Sequence, residues 1–179
     1  MRATKERSRA RGSALVEFAL VLTALFMMMF GIMDFSRAMY AYHFVSNAAR
    51  DATRFASVRG SACKTATVTP CPVSATDVTD YVYGIIPAGL AVTSISGGST
   101  TCQPGNPSAP YTLWVCAYWP GAAETGTLSS SCVTTHGVNS PGCPVQVTVE
   151  YQYGFSLPFI VNNISSINMT STSEVVISQ

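Results

Sequence analysis

The sequence predicts an α+β protein in which one long N-terminal helix begins in a membrane, leaves it, and packs on a small antiparallel sheet. Three observations carry that expectation. Residues 14–33 read ALVEFALVLTALFMMMFGIM, an apolar run interrupted by the single charge Glu17. The run passes without proline into an amphipathic stretch that reaches about Val58. After it the composition turns to Thr, Ser, Gly and Pro, with four β-like runs and all six cysteines. The expected division is a basic leader over 1–12, a long helix over 13–58 with its span at about 14–33, and an extracytoplasmic head over 59–179.

The first helix is expected because a bilayer core needs about 20 apolar residues and nothing stops the chain where that requirement is met. The first proline is Pro70, and Gly31 is the only glycine between Ser13 and Arg59. A helix from Ser13 to Val58 would be about 69 Å long, of which a membrane takes roughly 30 Å. The remainder must stand outside and pack on something. Its apolar stripe, at spacings of three and four, is Ala38, Tyr42, Val45, Ala49, Ala52 and Ala56. His43, Asn47, Arg50, Asp51 and Arg54 form the opposing polar stripe. The small alanine face suits close approach of a sheet. A cleaved secretory signal, ending near Ser36-Arg37-Ala38, is the competing reading. The apolar run is longer than such signals use, and it feeds straight into more helix.

Charge orients the chain. The net charge of +1 hides an asymmetry: Arg2, Lys5, Arg7, Arg9 and Arg11 precede the span, and no Lys or Arg occurs beyond Lys64. A basic segment directly before an apolar span favours a cytoplasmic N-terminus and an outer C-terminal domain. A head with acids and no late cations argues against nucleic acid, which binds through cationic surface. Cys63, Cys71, Cys102, Cys116, Cys132 and Cys143 all follow the span. An even number on one side of a membrane predicts disulfides in an oxidising compartment. Spacing alone selects no pairing; sequential pairing (63 with 71, 102 with 116, 132 with 143) is expected because it closes short local loops.

In the head, residues 76–86 (TDVTDYVYGII) predict a short helix, with Ser74 or Thr76 as cap, Asp77 in the first turn and Pro87 as its end. Strands are expected at 90–96, 111–119, 145–153 and about 167–178. Val145, Val147, Val149, Tyr151 and Tyr153 alternate with polar residues, which predicts a half-buried antiparallel strand. Residues 97–110 and 120–144 read as disulfide-stapled loops. No catalytic constellation is expected: His43 and His136 lack clustered carboxylates or a nucleophile motif, and Trp114, Tyr118 and Trp119 read as strand packing. Cys132, His136 and Cys143 lack the spacing of a zinc site, so neither metal nor cofactor is predicted. Asn163-Ile164-Ser165 and Asn168-Met169-Thr170 match a glycosylation sequon, a frequent chance match in such composition.

The informative acid is Glu17. A carboxylate at mid-span costs about 2.5–3.5 kcal/mol on insertion scales, and less near the edge. Phe18, Leu20, Val21, Leu22, Leu25, Phe26, Phe30 and Ile32 together return about 2.5–5 kcal/mol. Glu17 offsets much of that, so it either snorkels to the interface, stays protonated, or has a use.

The segment Arg11-Gly12-Ser13-Ala14-Leu15-Val16-Glu17-Phe18 resembles the prepilin-type leaders of type IV pilin relatives, in which a basic leader ends in glycine and glutamate is the fifth residue after the cut. Residues 12–58 as a whole resemble the TadE-like proteins, pseudopilin-type components of Tad (Flp) pilus assembly. Gly12 with Glu17-Phe18, Gly31-Ile32-Met33-Asp34-Phe35, and Asn47-Ala48-Ala49-Arg50 with Arg54 carry the likeness. The resemblance implies a type IV pilin-like fold and cleavage between Gly12 and Ser13 by a prepilin-type peptidase. It also implies assembly through Glu17 and Phe18 with other pilins or pseudopilins, beside an inner-membrane assembly platform. A new amine at Ser13 would be neutralised by Glu17 of a neighbouring subunit, which removes an isolated charge and fixes the stagger of packed helices. The other reading is an uncleaved single-span protein presenting an adhesin-like or binding head.

Overall fold

The computed structural model describes residues 3–64, 69–97, 102, 107, 109–120, 132, 139–155 and 166–178, with side chains from Ser13 onward. Helix α1 spans Ala3–Ser57 and runs through Gly12 without a break. Helix α2 spans Ala75–Gly84. Its N-terminus is closed by a capping box: the Asp77 backbone N–H donates to Ser74 Oγ (3.3 Å) and the Ser74 N–H donates to Asp77 Oδ2 (2.8 Å). Ser74, not Thr76, is the cap, and the helix stops at Gly84, before Pro87.

Strands β1 (Ser94–Gly97), β2 (Thr112–Tyr118), β3 (Pro144–Gly154) and β4 (Ser166–Val176) form one sheet in that order. All four fall inside or across the predicted runs, but the sheet is mixed. β2–β3 and β3–β4 are antiparallel, with Val149 opposite Val115 and Ser171, while β1 lies parallel to β2. The expected antiparallel sheet is corrected at that edge. The cause is connectivity: residues 98–111 separate the two strands, long enough for the crossover that parallel neighbours require. Gly97 closes β1 where a Cβ would collide with the Val115 carbonyl and the Thr79 side chain.

Both helices cover the same sheet face. Ala41, Val45, Ala48, Ala49, Ala52 and Ala56 of α1 and Val78 and Val82 of α2 are buried against Leu113, Val115, Val145, Val147, Val149 and Tyr151. The predicted alanine face is the packed one, with one correction. Ala41 stands in it where Tyr42 was expected, and Tyr42 is exposed. At 100° per residue Ala41 and Tyr42 lie about 45–55° to either side of the line through Ala38, Val45, Ala52 and Ala56, and the head covers the side that Ala41 faces. The polar stripe His43, Asn47, Arg50, Asp51 and Arg54 is exposed throughout.

β3 is the second correction. It is buried on both faces, not half-buried: Thr148 and Glu150 on the face away from the helices are as inaccessible as the valines. It is a central strand, and on that face Trp114 and Cys116 of β2 lie opposite Glu150 and Thr148 and are buried too. Thr148 and Thr172 join hydroxyls across the ladder at 2.9 Å, and Asn168 Nδ2 donates to Glu150 Oε2 at 3.3 Å. The cysteines pair sequentially, Cys63–Cys71, Cys102–Cys116 and Cys132–Cys143, as the short loops suggested.

Candidate functional site

From Ser13 to Phe30 every side chain of α1 is exposed. From Ser13 it is long and apolar enough to cross a membrane, and none of its most apolar window is buried. Leu15, Phe18, Leu20, Val21, Leu25 and Met28 each keep more than three-fifths of their surface exposed. In water that surface would cost far more than a small domain's stability at about 25 cal/mol per Å². The segment therefore requires an apolar medium or other helices. Its hydroxyls are suited to one: Thr23 Oγ1 donates to the Ala19 carbonyl and Ser36 Oγ to the Ile32 carbonyl, both at 2.8 Å.

Ser13, Glu17 and Phe18 all lie exposed on this segment. Ser13 and Glu17 are four residues apart, one helical turn or about 6 Å, and share a side of the helix. Among the described residues Glu17 has no hydrogen-bond or ion-pair partner. Gly12 lies within the helix, where side chains are not described. The arrangement offers one carboxylate on a largely apolar surface, where an acid is suited to pairing with a cation.

A second constellation stands where α1 leaves the apolar run. Asp34 is buried, and the Tyr153 hydroxyl from the end of β3 donates to its Oδ1 (2.9 Å) and to its carbonyl (3.1 Å). Burial pushes the Tyr153 phenol well above its usual range. The Asp34 hydrogen bond and charge add to that, and Arg37 opposes it. Tyr40 donates to the Ala88 carbonyl (3.4 Å), Tyr111 to Gly154 (2.9 Å) and Tyr151 to Ala91 (2.6 Å). Tyr111 holds φ at 64° to make its contact. Burial, with Tyr111 nearby, pushes Tyr151 up to about 12. The tyrosines line a cavity of about 280 Å³ with Arg37 at its edge. Every phenol there already donates to a carbonyl or carboxylate, so the cluster is a clamp between helix and head.

Further along, Phe55 stacks on Tyr81 of α2 (centroids 4.2 Å apart), and the Arg59 guanidinium lies 3.8 Å above the Phe55 ring. These contacts fix α2 to the end of α1. A groove of about 680 Å³ between α2 and β1 has Asp80 as its one carboxylate and no base among its lining residues. Among the described residues no three His, Cys, Asp or Glu side chains cluster to hold a metal. His136 and Asn163 lie outside the described residues.

Sequence reasoning singled out Ser13, Glu17 and Phe18 but assigned no contact to Asp34 or Tyr153. The available signal was an acid directly after the span, where a buried charge requires a partner; nothing in the sequence named Tyr153.

Residues 12–54 match the family model described as TadE-like protein, a stretch that covers the span, Glu17, Asp34 and the alanine face as far as Ala52, and neither α2 nor the sheet. No curated protein and no solved structure matches the chain.

Proposed function

We propose, from the TadE-like match over residues 12–54, that this chain is a minor pilin or pseudopilin-like structural component of Tad (Flp) pilus biogenesis or a related secretion apparatus. The observation that carries the reading is Glu17: a carboxylate without a partner among the described residues, one turn from Ser13, on a helix surface that the head leaves uncovered. A prepilin-type peptidase cuts after Gly12, and the Ser13 amine of one subunit receives Glu17 of another. Phe18 packs in the same helix–helix contact. In this reading the chain is not an enzyme. It sits once through the bacterial inner membrane with its N-terminus in the cytoplasm and its head in the periplasm or outside. Its partners are the peptidase, other pilins or pseudopilins, the assembly platform and the lipid bilayer.

Pairing at low dielectric explains why the acid is worth its insertion cost, since an unpaired charge of this kind is expensive and a paired one sets register. Glu17→Leu should insert into membranes at least as well as the parent and yet fail to co-assemble with its partners. Membrane fractionation reads the first, and recovery in sheared pili or in the purified assembly complex reads the second. Unchanged assembly in Glu17→Leu would favour the uncleaved, binding-head reading instead.

A further inference from the structure

Outside the apolar run, α1 carries an exposed polar stripe opposite the face that packs on the sheet: His43, Asn47, Arg50, Asp51 and Arg54, with two arginines against one acid. Neither arginine has an ion-pair partner among the described residues. On the other side of the molecule β4 is an edge strand, and its surface away from α1 is exposed at Asn168, Thr170, Thr172, Glu174 and Val176. Glu174 likewise has no ion-pair partner among the described residues. The layers thus run from a stripe with two arginines and one acid, through helix and sheet, to an edge strand whose one acid is Glu174.

The two surfaces lie at matching heights along α1. β4 runs in the direction of the helix: its start is paired with the end of β3, where Tyr153 meets Asp34, and Thr53 Oγ1 lies 3.4 Å from the Ser173 carbonyl. The Ser178 N–H then donates to the Ser57 carbonyl at 2.9 Å. Glu174 is therefore level with the turn that holds Arg54. Copies inserted in one membrane in the same sense keep their helices parallel, so heights carry over from one copy to the next. Arg50 and Arg54 are one turn apart, so a neighbour at equal depth, or displaced by one turn, brings a guanidinium opposite Glu174.

We propose that the exposed face of β4 in one copy docks on the His43–Arg54 stripe of a second copy of this chain, head to tail, with Glu174 pairing to Arg50 or Arg54. The proposal rests on the membrane reading above, because parallel insertion aligns the heights. A contact between unlike surfaces repeats without closing on itself unless the rotation completes a ring. The charge asymmetry of the sequence fits it: with no Lys or Arg after Lys64, α1 and the short segment after it supply all the cations outside the leader, and β4 offers one of the acids of the head.

The test is photo-crosslinking of the full chain in its native membrane, from benzoylphenylalanine placed at Thr172, with adducts mapped by mass spectrometry. The expected product is a dimer joined to a peptide within residues 43–54. Glu174→Arg, and separately Arg50→Glu with Arg54→Glu, should each lower that adduct about tenfold, since like charges then face each other. The triple variant should restore it. Adduct unaffected by either reversal, not restored in the triple variant, or mapping to α2 around Asp80 or to another protein would overturn the proposal. Glu17→Leu is run in parallel and read by pilus recovery. Loss there with charge variants that leave the adduct intact sinks only the β4 contact. No loss there sinks the assembly reading itself.

Discussion

Asp34 shows how a single residue joins the apolar half of α1 to the head. Its carboxylate is buried at the exit from the apolar run and takes the Tyr153 hydroxyl at 2.9 Å. Tyr153→Phe removes that donor without changing the ring, so it isolates the polar term. A buried acceptor left short of a partner costs about 1–3 kcal/mol, and a thermal or urea melt of the head should show a loss in that range. Tyr151 gives a pH signature. Its phenol is pushed up from an ordinary 10.0 to about 12 by burial, so between those values the unfolded chain has lost its proton and the folded one has kept it. Unfolding then releases a proton, and stability falls as pH rises through that window by at most about 1.4 kcal/mol per pH unit for this group. Below pH 10 the contribution is fully present. Tyr151→Phe should flatten the alkaline loss in a pH series of melts. At this scale the sequence was partly legible. Glu17 stands out because its cost against a lipid phase can be counted from one residue. Tyr153 does not, because its partner is 119 positions away and only the folded register brings them together.

At the scale of elements, small side chains set the distance between α1 and the sheet. Ala49, Ala52 and Ala56 are wholly buried where the helix crosses β3 and β4. Ala52→Leu should force helix and sheet apart, with about 1–3 kcal/mol lost to overpacking. The same change at exposed Asn47 should leave the melt almost unmoved. Element identity was readable from periodicity: a three-and-four pattern for the alanine face and a period of two for Val145 through Tyr153. Three details were not. Tyr42 was expected on the packed face and is exposed, because it stands about as far to one side of the alanine line as Ala41 does to the other, and spacing does not say which side the head covers. β1 was expected antiparallel and is parallel to β2. The direction of a short edge strand is set by the path of the connection, and composition does not encode it. β3 was expected half-buried and is buried on both faces. Thr148 and Glu150 read as solvent-facing in a pattern that scores polarity, whereas their partners Thr172 and Asn168 satisfy them inside the fold.

The whole molecule divides its labour along one helix. From Ser13 to Met33 it presents an apolar surface with one carboxylate that the head leaves uncovered, and beyond Asp34 it serves as the core of a two-layer head closed by three sequential disulfides. The TadE-like match ends at residue 54, before α2 and the sheet. The sequence made that division readable, because span length and charge asymmetry are one-dimensional properties. The docking surfaces needed the fold, since Glu174 and Arg54 share a height only after β4 is laid along α1. We propose that the chain is processed after Gly12, which leaves Ser13 free to meet Glu17. Intact mass and N-terminal sequence of the chain recovered from its native membrane decide this, and the expected chain starts at Ser13. A chain that retains Met1 through Gly12 would contradict it and leave a membrane-anchored binding head in its place.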